Sequence, residues 1–268
     1  MGALLDIVGA MRSLASMRVQ EASRAQANAG RYAAAMASAI GSALQLVPDE
    51  QAALHRDAGR RALILCTSEQ GFVGGFNERL LDAACAIRTP SDVLFILGSR
   101  GAVRAQERGL VASWMHPMAT RLASVPASVR RLTEALYKRV GSGEIGRVEL
   151  MFTRARQGQA ATIEHRKLFP LDLTALATQP ARLPPLHNLS PQLLLEQLIV
   201  EYVFALLTEA AIDSLASESA ARFTAMAAAH DNVSRKLDHL RQEARQARQD
   251  EITMELLDLV TGAEAARL

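Results

Sequence analysis

The stretch Thr67-Ser68-Glu69-Gln70-Gly71-Phe72-Val73-Gly74-Gly75-Phe76-Asn77 is where chemistry is first to be sought in this chain. It follows the apolar run Arg61–Thr67 and precedes an amphipathic segment. A glycine-rich turn between strand and helix bares backbone N–H groups, which is how α/β folds hold phosphates. Yet Gly71, Gly74 and Gly75 do not make G-x-G-x-x-G, no acidic residue ends a plausible second strand to hold a ribose, and G-x-x-x-x-G-K-[ST] is absent. Two readings stand: a tight structural turn built on Gly71, Gly74, Gly75 and Asn77, or the nucleotide site of an α/β enzyme.

Other candidates are weaker. The six histidines, His55, His116, His165, His187, His230 and His239, show no metal spacing such as H-E-x-x-H. Cys66 and Cys85 are too few for a disulfide framework, and Cys66 lies inside an apolar run, as a buried structural thiol does. Arg235, Lys236, Arg241, Arg245 and Arg248 form a basic stretch interrupted by Asp238 and Glu243, either a solvated helix face or a contact surface for acidic loops. No catalytic, cofactor-binding or metal-ligating set emerges.

The elements that position these residues form an alternating pattern. Arg61–Thr67 and Asp92–Leu97 read as buried strands, with Leu110–Trp114 a weaker third. Asn77–Ile87, Arg100–Arg108 and Ala127–Val140 read as helices. Arg147–Thr153 and Thr162–Phe169 read as two strands joined through Arg156–Ala160. A single α/β domain with a mostly parallel, Rossmann-like sheet is expected over residues 48–190, ending in the Pro-rich connector Gln179–Pro191.

Long helices bracket it. From Pro191 to Leu268 there is no further proline and only Gly262 as glycine. About 70 residues of helix, roughly 105 Å, are therefore possible. Ala3–Val47 is also proline-free. Steps of three and four from Leu4 give Ile7, Met11, Leu14, Arg18, Ala22, Ala25, Ala29, Tyr32, Met36, Ile40, Leu44 and Val47. The same walk from Ile212 gives Leu215, Ser219, Phe223, Met226, His230, Val233, Leu237, Leu240, Ala244 and Ala247, resuming after a five-residue skip at Ile252, Leu256 and Leu259. Spacing near 3.5 residues is that of a coiled-coil seam. Both helices rooted in one domain run antiparallel, so residues 1–47 and 191–268 should form a stalk whose last ~25 residues overhang by roughly 35–40 Å.

The whole chain carries 30 basic and 28 acidic residues, which gives no signal for nucleic acid. Residues 1–47 hold four basic and two acidic groups, and residues 191–268 seven and 13, so opposite net charge modestly favours pairing. No run of 18 uncharged apolar residues reads as a membrane span.

Three blocks carry a family resemblance. Thr67-Ser68 with Gly71-Phe72-Val73-Gly74-Gly75-Phe76-Asn77 is similar to T-S-x-x-G-L-C-G-G-[FY]-N. Leu215–Arg222 with Ala225-Met226 and Asp231-Asn232 is similar to S-E-x-x-A-R-x-x-A-M…N. Arg248–Leu256 with Val260 and Gly262 is similar to R-Q-x-x-I-T-x-E-L-x-E-I-V-x-G, and Ile7–Met11 is a fainter echo of I-T-K-A-M. In this order they resemble the gamma subunit of F-type ATP synthases. The resemblance implies a non-catalytic rotor shaft without cofactors. Its partners would be the alpha and beta subunits of a catalytic hexamer, the epsilon subunit and the membrane c-ring. It implies a peripheral place on the cytoplasmic face of the bacterial inner membrane. It further implies that Met11, Arg248, Gln249 and Thr253 contact the catalytic subunits and that the glycine turn is structural. The alternatives are the nucleotide-dependent enzyme with a coiled-coil arm and a stalk-like adaptor of a secretion ATPase. The sequence departs from the family where Gly9 stands for lysine and where Asp250 and Glu251 stand for small residues. It also starts about twenty residues late, as a divergent sodium-type variant or a misassigned start would.

Overall fold

The computed structural model describes residues 2–47, 59–155, 160–176 and 186–265. Helix α1 spans Gly2–Leu44. The head follows as β1 (Arg60–Cys66), α2 (Phe76–Ile87), β2 (Val93–Leu97), α3 (Ser99–Glu107), β3 (Trp114–His116), α4 (Val125–Gly141), β4 (Ile145–Arg154), β5 (Thr162–Phe169) and a single turn, α5 (Leu173–Leu176). Helix α6 then runs unbroken from Pro191 to Ala265, 75 residues, about 112 Å. Pro191 tolerates the first turn because that position needs no backbone donor.

The sheet order is β3-β2-β1-β4-β5. β3, β2, β1 and β4 run parallel, and β5 pairs antiparallel to β4. Strands β1 and β2 are buried on both faces, as their continuous apolar runs require. Leu63, Leu65, Leu94 and Ile96 pack under α2 and α3. Ala62, Ile64, Phe95 and Phe152 pack under α4 and the stretch of α6 from Val203 to Leu215. The sequence of α6 there is apolar around most of its circumference because it is enclosed by sheet, α4 and α1.

The third strand lies later than expected. Residues Leu110–Ser113 lead into it, and only Trp114–His116 pair with β2. Val111, within the expected strand, and Met115 are 77% and 67% exposed on this sheet edge.

The two long helices are antiparallel. Gln26 meets Asp213, and Gly9 faces His230, so 17 residues along α1 match 17 along α6. The seam is built of small side chains, with Ala15, Ala22, Ala33 and Ala43 almost fully covered alongside Val8 and Ile40. Small residues let the backbones approach, and no ion pair joins α1 to α6 among the described residues. The expected seam is therefore corrected in its first half. Leu4, Ile7 and Leu14 are 47%, 57% and 46% exposed, whereas Val8 and Ala15, one residue on, face α6. The larger apolar residues misled the walk, since an alanine contact needs no bulk.

By this register Gly2 lies level with residue 237, leaving 28 residues of α6, about 42 Å, without a partner helix. Every residue from Asp238 to Leu257 is exposed. Leu240, expected on the seam, is 39% exposed because α1 ends short of it. Among the described residues no helix is long and apolar enough to cross a membrane.

Candidate functional site

The carboxyl ends of β1 and β4 mark the point where strand order reverses, the crevice in which open α/β sheets hold ligands. Here helix α6 fills it. Ser214 Oγ donates to the Cys66 carbonyl at the end of β1 (2.9 Å), and Ser217 Oγ donates to the Thr153 carbonyl near the end of β4 (2.9 Å). Ser217 Oγ also accepts from the Ala155 N–H (2.7 Å). One turn further, the Glu218 carboxylate accepts from the backbone N–H groups of Glu69 and Gln70 (both 3.4 Å). Arg222 bonds Glu218 (2.5 Å) and donates through Nε to the Gly71 carbonyl (3.2 Å). Glu218 and Arg222 are 2% and 5% exposed.

Two backbone N–H groups at the start of the glycine turn, those of Glu69 and Gln70, are thus already answered by a carboxylate of the same chain. Burial pushes the Glu218 carboxyl above the usual carboxylate range, opposed by Arg222 and the two N–H donors. Burial likewise pushes the Cys66 thiol up to about 12, which leaves it an inert packing group.

The turn is shaped locally by side chains. Asn77 accepts the Ser68 N–H (3.0 Å) and donates to Ser68 Oγ (2.7 Å), closing the loop over nine residues. Thr67 Oγ1 donates to the Leu97 carbonyl (2.7 Å). Glu69 gathers three donors, Ser99 N–H, Ser99 Oγ and Met118 N–H, at 2.8–2.9 Å, tying β1, α3 and the segment after β3 together. Gly74 adopts φ +55°, which glycine reaches without strain. Gly71 and Gly75 have no such demand: a methyl group would meet only the Arg100 side chain at 3.8 Å or nothing. Phe72, with φ +61° and 66% exposed, takes the left-handed position that a glycine would favour. A close approach that does require glycine lies in α3, where a Cβ on Gly101 would sit 2.1 Å from Thr67.

A second joint lies beside the first. Arg154, at the end of β4, bonds Asp213 through Nε and Nη2 (2.6 Å each), Glu209 (2.9 Å) and Glu164 on β5 (2.8 Å). Gln26 of α1 donates to the other oxygen of Asp213 (2.9 Å). Burial raises the Asp213 carboxyl, opposed chiefly by Arg154.

The other expected site residues lie elsewhere. Met11 sits half-buried on α1, level with residue 228 of α6, which puts it about 30 Å below Arg248. Arg248, Gln249 and Thr253 are exposed on the unpaired tip, where Thr253 Oγ1 donates to the Gln249 carbonyl (2.8 Å). Nothing within the chain brings Met11 together with the tip. On the same tip Ile252, Leu256 and Leu259 share one face and are 50–69% exposed. The side chain of Val260, the surroundings of Gly262 and the connector residues 179–185 lie outside what is described. His230 packs at the seam against Gly9, as its place in the helical walk suggested, and among the described residues no group of His, Cys, Asp and Glu could hold a metal. Arg154 and Asp213 were not singled out from sequence. Their only signal was a charge at the end of a buried strand and another within an otherwise apolar helical turn.

Comparison with known proteins gives one consistent answer. A family model described as ATP synthase matches residues 2–266. An ATP synthase gamma chain of Streptomyces avermitilis is 28% identical over 97% of this chain and 90% of the relative, and one of Chlorobium luteolum is 26% identical over 97% and 93%. A chain from the central stalk and c-ring of the Tetrahymena thermophila mitochondrial ATP synthase superposes with a TM-score of 0.59 at 17% identity, covering 83% of this chain and 99% of its own length. A chain of the Euglena gracilis mitochondrial enzyme gives 0.58 at 12% identity over 96% and 95%. At these identities the structural likeness establishes the fold.

Proposed function

The chain belongs to the ATP synthase gamma chain family, and from that premise we propose that it is the central rotor shaft of an F-type ATP synthase. Its two paired helices stand within the hexamer of alpha and beta subunits, and its head rests with the epsilon subunit on the c-ring. Ion flow through the ring turns head and shaft together, and the asymmetric tip drives the surrounding sites through different affinities. The chain itself is non-catalytic, and catalysis belongs to the hexamer. It is peripheral to the membrane, on the cytoplasmic face of the bacterial inner membrane.

The observation that carries this reading is the single helix α6. Its middle is anchored in the head by the Ser214–Arg222 socket, and its last 28 residues stand free. A rod rooted in a globular base passes rotation from one end to the other, and an uncovered apolar face at Ile252, Leu256 and Leu259 supports a bearing of protein around it. Arg248, Gln249 and Thr253 offer exposed donors and acceptors to the surrounding loops, and half-buried Met11 offers them an apolar contact at the level of the paired stem. The filled crevice gives no support to the nucleotide enzyme, because Glu218 occupies it and holds the Glu69 and Gln70 N–H groups.

Co-expression with alpha and beta subunits tests this directly. The expected result is a hexamer carrying one copy of this chain and hydrolysing ATP, while the chain alone binds neither ATP nor NAD by calorimetry. A hexamer recovered with its cavity empty would overturn the proposal.

A further inference from the structure

We propose that Arg154 is the positioning residue that locks the head of the rotor to its shaft, so that both turn through the same angle; this rests on the rotor reading. The guanidinium stands at a place where side chains from the sheet and from both long helices meet. It grips Asp213 and Glu209, one helical turn apart on α6, while Gln26 of α1 holds the far oxygen of Asp213. On the head side it reaches Glu164, and Arg166 shares both Glu164 and Glu209. The two guanidinium carbons lie over the Phe152 ring at 5.4 and 5.1 Å from its centroid, which fixes the plane of the fork.

The surroundings make this joint responsible for twist. Between α1, α6 and the end of β4, an open cleft of about 770 Å³ is lined by Val19, Gln20 and Ser23 of α1, Ala216 and Ala220 of α6 and Arg154 itself. Apolar packing is therefore missing on this side of the shaft. Apolar contacts oppose separation but let surfaces slide, whereas a planar fork with directed donors holds an angle. Glu209, Asp213 and Ser217 follow at intervals of four and form one stripe of α6 facing the end of β4. Turning α6 against the head would break the Arg154 bonds. A lysine keeps the charge but presents no fork, so it can hold one carboxylate in direction and not three.

The experiment uses the membrane-embedded complex assembled with the full chain, wild type or carrying Arg154→Ala or Arg154→Lys. ATP hydrolysis and ATP-driven ion pumping into vesicles are measured together, with hydrolysis by the soluble hexamer beside them. The soluble hexamer needs only the shaft, so its turnover should change little. Ions pumped per ATP should fall by about 2- to 30-fold in Arg154→Ala, with Arg154→Lys intermediate. An unchanged ratio in both variants overturns the inference, as does a parallel fall of hydrolysis and pumping, which marks a residue that serves assembly alone. Should Arg154→Ala fail to assemble, Arg154→Lys and Glu209→Gln decide by the same ratio. If wild-type chain never enters the complex, the rotor reading itself fails and this inference falls with it.

Discussion

Replacing Glu218 by alanine isolates the energetics of the socket. The side chain is 2% exposed and faces Arg222, which is 5% exposed, so removing it leaves a guanidinium in the protein interior with only the Gly71 carbonyl as partner. Two backbone N–H groups, at Glu69 and Gln70, lose their acceptor as well. Breaking a buried pair from one side costs about 3–5 kcal/mol. For a chain of this size that lowers the melting temperature by roughly 6–20 °C, at ~2–4 °C per kcal/mol. The 3.4 Å N–H contacts are long and add little, so the pair should dominate. Replacing both members, as Glu218→Gln with Arg222→Met, removes the orphaned charge and should recover most of the loss. Urea unfolding followed by the fluorescence of Trp114, the chain's single tryptophan, reports on the head to which the pair is fastened. If the double variant were as unstable as the sum of its singles, the two residues would act independently and the pair would not be what holds the socket.

Gly101→Ala should destabilise the head by more than ~2 kcal/mol, because its Cβ would overlap Thr67 at 2.1 Å, whereas Gly75→Ala, with open space around it, should stay within ~0.5 kcal/mol in the same unfolding assay. Asp213→Asn should change the pH dependence. The folded carboxyl binds its proton more tightly than the unfolded one, so its contribution is fully present below the ordinary value of 3.8 and is lost as pH rises through the raised folded value. Wild type should therefore gain stability relative to Asp213→Asn as pH falls from 7 towards 4, and a gain in the opposite direction would contradict the buried carboxyl. Ile252→Ser with Leu256→Ser should leave the melting of the isolated chain unchanged, since both are exposed, yet weaken co-purification with the hexamer.

What could be read from the sequence follows the range of the interactions concerned. The strands Arg61–Thr67 and Asp92–Leu97 and the long final helix declare themselves by local period and by missing prolines, and the structure places them within a residue or two. The seam did not declare itself in the first half of α1. Its contact residues there, such as Ala15, are small, while the larger Leu4, Ile7 and Leu14 face outward. The glycine turn and the Leu215–Arg222 stretch were both legible as motifs, but that Glu218 answers the N–H groups of Glu69 and Gln70 across 149 and 148 residues was not. Arg154 was hidden for the same reason. A charge at a strand end is ordinary until the helix carrying Glu209 and Asp213 is laid beside it.

The crevice of an open α/β sheet is where strand ends leave backbone groups unanswered, and most such folds answer them with a ligand that comes and goes. This chain answers them with side chains of its own helix: Ser214 for Cys66, Ser217 for Thr153 and Ala155, Glu218 for the turn. A covalently attached occupant cannot dissociate, so the site that would give a fold exchange gives this one permanence. Permanence is what a base needs if it is to turn a rod about 112 Å long without slipping. Small residues along α1 then let the second helix lie close enough to stiffen the rod.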